Sequence, residues 1–325
     1  MKNYRIVPGM WFLLLGVCCI MSGCLKKEEI VQDKQAQTDN ATIQQYLLAK
    51  NEQATPQMLG SNTYYSRVLK ANPTGQATKS LDIIAIYYSI SVLNGKVIDS
   101  VTTGEPMKFQ LLTQTGALTP VGLDKGISLM RKGEKFRFYI PSGLAYGTYT
   151  YSADFPENSN IVVDVEVVDI LTNTQQIVIE NQLIKKYIAD NKLVNVDSLN
   201  SGIHYQKTVD GTGSTPAAGQ TVTVSYVGKY LDGTIFDQSG TNNYSFPINT
   251  TNLIKGFRDG IAQMKKGEKG KIIIPSNLAY GSGFQIIPKF LRPDLITKDY
   301  LKDIIAPAIP PFSTLVFDVE LIDIK

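Results

Sequence analysis

The sequence predicts an α+β protein made of two copies of one unit, each a twisted antiparallel sheet wrapped on a short helix and preceded by a helical extension. Three observations predict it. The stretch KGEKFRFYIPSGLAYG from Lys132 and the stretch KGEKGKIIIPSNLAYG from Lys266 agree at eleven of sixteen positions, 134 residues apart. Runs such as Thr221-Val222-Thr223-Val224-Ser225-Tyr226 alternate with period two, the pattern of a half-buried strand. Asn94-Gly95 and Asp232-Gly233 are hairpin signals, because their backbones tolerate positive φ.

The chain of 325 residues opens with Lys2 and Arg5, followed by an apolar run from about Ile6 to Met21. That run is short for a transmembrane helix, which needs about 20 apolar residues, and reads instead as an export signal over residues 1–23. It ends in Met21-Ser22-Gly23-Cys24, which resembles a bacterial lipobox with methionine in the place of the commoner leucine. The resemblance implies cleavage before Cys24 and a lipid, with palmitate among its acyl chains, on that cysteine. Cys18, Cys19 and Cys24 are the three cysteines, so a mature chain would retain Cys24 alone and have no disulfide framework. Residues 24–40 are polar and lack periodicity, so they read as a flexible tether.

Two units follow, over 41–172 and 173–325. Each begins with a helix, weakly marked at 41–50 and clearly marked at 174–190. In the second helix the reading puts Ile177, Leu183, Ile184, Tyr187 and Ile188 on one buried stripe. A short strand comes next, with the single histidine, His204, on what reads as a sheet edge. Alternating strands, a short helix near Ile254–Met264, a strand at Lys271–Ile274 and a final apolar strand complete the second unit. The matched segments NIVVDVEVVDI and TLVFDVELIDI lie 154 residues apart, so the second copy carries an insertion, residues 284–306, after Gly283. Pro293-Asp294 can start a helix there, read either as a flap at a pocket mouth or as plain packing.

Composition narrows the function. With 43% hydrophobic and 19% charged residues the chain has the make-up of an ordinary globular protein. A net charge of +3 without a basic block gives no footprint for nucleic acid. One histidine and no Gly-x-Ser-x-Gly argue against a serine hydrolase, and absent Cys/His spacings leave no zinc site.

VSYVGKYLDGTIFD, LIKGF, IPSNLAYG and IPPFSTLVFDVEL occur in order over about 100 residues, and together they resemble the FKBP family of peptidyl-prolyl isomerases. The helical extensions resemble those of bacterial envelope members. The resemblance implies an aromatic-floored pocket between sheet and helix that takes a proline side chain, or a macrolide mimicking one, without cofactor or metal. Carried residue by residue, it implies catalytic roles for Asp237, Tyr280 and the Ile254 backbone N–H. It implies substrate-binding walls from Tyr226, Phe236, Tyr244, Leu253, Phe257, Ile309 and Phe317. Phe257 stands where the family commonly has tryptophan, and Tyr244 where it commonly has phenylalanine.

The same register in the first copy gives Tyr88, Ile98, Asp99, Met107, Thr119, Pro120, Leu123, Tyr146, Phe155 and Val163. Three aromatic walls have become aliphatic, and Pro120 stands where Ile254 supplies an N–H that proline lacks. A folded but poorly active first domain is the expectation. The implied protein isomerises prolines of exported, unfolded polypeptides from a lipid anchor in the cell envelope, at the outer membrane facing periplasm or cell surface. The alternative is a non-catalytic client-binding module in the same place.

Overall fold

A computed structural model describes residues 18–111, 120–150, 153–282 and 309–325, with side chains from Asp33 onward. Thr119 and the insertion 284–306 lie outside the described residues, as does most of the expected export signal. The elements run α1 (Cys18–Ala49), β1 (Thr55–Leu59), β2 (Asn62–Lys70), β3 (Ile83–Val92), β4 (Val97–Val101), β5 (Met107–Gln110), α2 (Val121–Ile127), β6 (Lys135–Ile140) and β7 (Ile161–Leu171). The second series runs α3 (Asn173–Asp190), β8 (Val196–Ser198), β9 (His204–Val209), β10 (Thr221–Tyr230), β11 (Ile235–Gln238), β12 (Tyr244–Pro247), α4 (Lys255–Ile261), β13 (Lys269–Ile274) and β14 (Leu315–Ile324). Single 3₁₀ turns at Ser142–Leu144 and Ser276–Leu278 follow β6 and β13.

The two sheets have one topology. The first runs β1-β2-β6-β7-β3-β4 with β5 also on β3, and the second β8-β9-β13-β14-β10-β11 with β12 also on β10. The pairings are antiparallel throughout. The irregularities repeat as well: β3 slips against β7 between Ala85 and Ile86, and β10 slips against β14 between Thr223 and Val224. Both expected hairpins form, with Asn94 at φ 63° and Gly233 at φ 87°.

Each sheet is covered on both faces. On one face of the second sheet Ile272, Ile274, Leu315 and Phe317 pack against Phe257 and Ile261 of α4. On the other face Ile273 and Val316 pack against Ile184 of α3. The first sheet repeats this with α2 on one side and, on the other, Ile43 and Leu47 of α1 over Tyr139 and Val162.

Three expectations are corrected here. The polar stretch 24–40 is not a flexible tether: it belongs to α1, a continuous helix of 32 residues. Its buried stripe is Ala36, Asp39, Ile43 and Leu47, and the polar members hide the period. The buried face of α3 is Gln176, Glu180 and Ile184, while Ile177 and Leu183 are 49% and 45% exposed. A carboxylate with partners in the fold displaces apolar side chains from the face they were assigned. His204 is not on an edge, because β9 lies between β13 and β8.

These corrections enlarge the repeat. Gln35, Asp39, Asn40, Ile43 and Tyr46 of α1 recur 141 residues later as Gln176, Glu180, Asn181, Ile184 and Tyr187 of α3. The duplicated unit is therefore extension helix plus sheet. The shared KGEK motif is structural: Glu134 and Glu268 are buried, and each accepts a backbone N–H three residues before it, from Arg131 and Lys265.

Candidate active site

The second domain gathers a bowl of rings between β10, β11, β14 and α4. Phe257 and Phe317 have centroids 4.8 Å apart, and Tyr226 stands edge-on to Phe257 at 5.3 Å. Phe236 meets Phe317 at 5.6 Å and 90°, and Tyr244 meets Tyr226 at 6.3 Å. Such tilted and edge-on contacts are the favoured geometries of aromatic pairs. Leu253, Ile254 and Tyr280 pack against the same cluster, and Ile309 is buried within it. All ten residues carried over from the family pattern thus belong to one apolar cluster or its rim, with Tyr244 the most open at 40% exposure.

Asp237 supplies the fixed charge. Its Oδ2 accepts the Tyr226 hydroxyl at 2.7 Å, and its Oδ1 accepts the Gln238 N–H at 2.8 Å. Burial, reinforced by the bond to Asp237, pushes the Tyr226 hydroxyl well above the usual tyrosine range, so it stays a proton donor. The carboxylate is thereby aimed by a ring that also forms part of the wall.

Ile254 is the N-cap of α4, with φ −56° and ψ 136°. The first N–H groups of a helix have no partner inside it. At this position they border the rings.

Sequence reasoning missed two contributors. Phe246 is buried and packs on Phe257 at 6.2 Å, deepening the floor from β12. Gly228 lies opposite Asp237 on β11 and Phe317 on β14. A Cβ built there would fall 2.8 Å from the Phe236 ring and 2.9 Å from the Phe317 ring. The glycine is the space those two rings occupy. Setting VSYVGK beside IYYSIS would have exposed it, since Ile90 stands at the same register.

The first domain holds the same frame with different filling. The Tyr88 hydroxyl donates to Asp99 Oδ2 at 2.9 Å, as Tyr226 does to Asp237. Ile90 pairs with Asp99 and Val163, as Gly228 pairs with Asp237 and Phe317. Met107 pairs with Ile86, as Tyr244 pairs with Val224. Pro120 is the N-cap of α2, the position of Ile254 at α4. Ile90, Leu123 and Val163 are fully buried, and Ile98 packs against them. Phe155 fills the remaining space against Tyr146 at 5.5 Å and Tyr149 at 6.4 Å. The Tyr146 hydroxyl is buried without a partner, and burial pushes it far above the usual tyrosine range.

A cleft of about 420 Å³ opens elsewhere, beside α3, lined in part by Gln176, Ile177, Glu180, Ser276, Asn277 and Phe312. None of the ring-bowl residues lines it, so the apolar, charge-aimed bowl is the better candidate for amide chemistry. No group of three or more metal-ligating side chains occurs among the described residues, and no described helix is long and apolar enough to cross a membrane.

Comparison with known proteins points to one family. The family model for FKBP-type peptidyl-prolyl cis-trans isomerase matches residues 75–168 and 212–322. The isomerase FkpA of Escherichia coli is 36% identical over 130 residues, 40% of each chain. FK506-binding protein 4 of Dictyostelium discoideum is 37% identical over 129 residues, 39% of this chain and 30% of its own. The crystal structure of E. coli FkpA aligns at 35% identity and a TM-score of 0.34, covering 45% of this chain and 59% of that one. The chain spans less than half the length of these two curated relatives.

Proposed function

The chain belongs to the family of FKBP-type peptidyl-prolyl cis-trans isomerases, and from that premise we propose that its second domain isomerises X–Pro bonds while its first does not. An X–Pro bond turns slowly because amide resonance opposes it, with a barrier of about 18–20 kcal/mol. At the half-turned state resonance is lost, the C–N dipole shrinks and the nitrogen becomes pyramidal. An apolar bowl disfavours the planar, solvated ground state relative to that state. Each ~1.4 kcal/mol of such difference is tenfold in rate.

Phe236, Phe257 and Phe317 hold the proline ring, with Tyr226, Tyr244, Leu253 and Ile309 around it. The Ile254 N–H donates to one substrate carbonyl, and the Tyr280 hydroxyl bonds another polar group of the substrate. Asp237, aimed by Tyr226, sets a negative charge beside the turning carbonyl. No proton is transferred and no bond is made or broken. The observation that carries this reading is the Tyr226–Asp237 pair set in a bowl of rings whose helix cap, Ile254, retains an N–H. In the first domain the cap is Pro120 and the rings are replaced.

The substrates of this reading are proline-containing unfolded polypeptides exported to the cell envelope, where Cys24 carries the lipid. The reading places the anchored chain at the outer membrane, facing periplasm or cell surface. Macrolides that mimic proline are expected to compete for the bowl. A labelled palmitate that enters the wild-type chain in its bacterial host and not Cys24→Ala supports the anchor; label in both removes it.

Exchange of a Leu-Pro-Phe peptide, followed by NMR with the full chain, tests the catalytic claim. Asp237→Ala should remove most of the acceleration and Asp99→Ala should leave it intact. Equal effects from both, or no acceleration by the wild type, would remove it. In the last case both domains would be read as client-binding modules.

A further inference from the structure

We propose that Glu180, on the extension helix α3, is a positioning residue for Tyr280; this rests on the catalytic reading of the second domain. Glu180 is 4% exposed, and its carboxylate reaches out of the helix to one residue of the sheet domain. Its Oε2 accepts the Ser276 N–H at 2.8 Å and its Oε1 accepts the Ser276 hydroxyl at 2.6 Å. Gln176, one turn earlier, donates its amide N–H to Oε1 at 2.9 Å and holds the carboxylate in that pose. A buried carboxylate is costly unless its lone pairs are filled, and here three donors fill them.

Ser276 opens the turn that presents Tyr280. Its carbonyl accepts the N–H of Ala279 at 3.0 Å and of Gly281 at 2.8 Å, the two residues that flank the tyrosine. The Gly281 carbonyl in turn accepts the Phe312 N–H at 2.9 Å. The path from helix to hydroxyl is therefore one fixed residue and one short turn. Without the carboxylate, the Ser276 N–H and hydroxyl lose their partners inside the fold, and the turn loses its attachment to α3. A hydroxyl that must meet a twisted amide tolerates little drift, since a misplacement of about 1 Å can cost 100-fold.

The same clamp occurs in the first domain, where Asp39 Oδ2 accepts the Ser142 N–H at 3.0 Å and hydroxyl at 2.6 Å, and Gln35 donates to Asp39 Oδ1 at 2.8 Å. That copy supplies an internal control, with the difference that the Ser142 N–H is also accepted by Asn160 Oδ1 at 3.1 Å. In the full chain, Glu180→Leu should lower kcat/KM for the Leu-Pro-Phe peptide about tenfold, mostly through kcat. Glu180→Gln, which keeps an acceptor for the Ser276 N–H, should restore most of it, and Asp39→Leu should change nothing. In a Tyr280→Phe background the Glu180→Leu loss should vanish. Ser276→Ala, a milder change, should give a smaller loss of the same kind. The fluorine NMR signal of Tyr280 in fluorotyrosine-labelled chain, assigned by its absence in Tyr280→Phe, should move in Glu180→Leu and Ser276→Ala. An unmoved signal in both variants overturns the proposal, whatever the activity. So does a Glu180→Leu loss that adds in full to that of Tyr280→Phe. A wild-type chain without catalysis removes the catalytic reading alone, because the fluorine signal still reports whether Glu180 positions Tyr280.

Discussion

The two domains share a frame down to the slips in their sheets, yet one holds a bowl and the other a plug. At three positions in contact, Gly228, Phe236 and Phe317 in the second domain stand against Ile90, Ile98 and Val163 in the first. The exchange is compensated: two rings shrink where a glycine gains a branched side chain. Packing is preserved in both, as close-packed interiors require. What differs is the filling: two rings over a glycine in the second domain, three aliphatic side chains in the first. The tyrosine–aspartate pair survives in both domains, so that pair alone does not mark an active site. In the proposed function the helix cap makes the distinction, since Pro120 has no N–H to offer and Ile254 does.

The largest effect is expected at Gly228. Gly228→Ile alone drives a side chain into Phe236 and Phe317, and should destabilise the second domain by about 3 kcal/mol, the upper range for overpacking. Adding Phe236→Ile and Phe317→Val should recover most of that stability without recovering catalysis. Thermal unfolding and peptide exchange on the same samples check both halves. A triple variant as unstable as the single one would show that the three positions do not compensate.

A smaller effect sharpens the comparison at the loop before β14. Phe312 has φ 58° and Asn158, its counterpart, φ 55°. Asparagine tolerates this region and a bulky aromatic does not. Phe312→Asn should raise stability by about 1 kcal/mol, read as a higher unfolding midpoint. Asn158→Phe should lower it by a similar amount.

The smallest effect concerns pH. His204 is the chain's only histidine, its Nδ1 lies 2.9 Å from the Ser198 hydroxyl, and burial followed by the charge of Lys185 lowers its pKa from 6.5. A folded-state pKa below the unfolded one adds stability above pH ~6.5, and that stability is lost as pH falls through the folded value. His204→Gln should flatten the denaturant midpoint across that window. An unchanged slope would mean that the imidazole titrates alike in both states.

The candidate site was legible only through the family resemblance, whose register carried Asp237, Tyr280 and the contrast of Ile254 with Pro120 onto this chain; the structure sets those residues around one cluster of rings. The hairpins were legible through Asn94 and Gly233. What stayed hidden was polar and buried. Gln35 and Asp39 look like solvated residues, so α1 read as tether, although their bonds to each other and to Ser142 make that face a docking surface. The same substitution of a paired carboxylate for an apolar contact shifted the face of α3 from Ile177 to Glu180. Gly228 was passed over because a missing side chain leaves no pattern until the rings above it are seen.

In the proposed function the Ile254 N–H, absent at Pro120, separates a working domain from a reused one. Ile254→Pro tests it directly, because the cap already has φ −56°, which proline adopts without strain. In the full chain, NMR exchange of the Leu-Pro-Phe peptide should slow by about 10- to 100-fold, the worth of one oriented buried hydrogen bond at ~1–3 kcal/mol, while the unfolding midpoint stays near that of the wild type. A stable Ile254→Pro chain that isomerises the peptide at the wild-type rate would contradict the account.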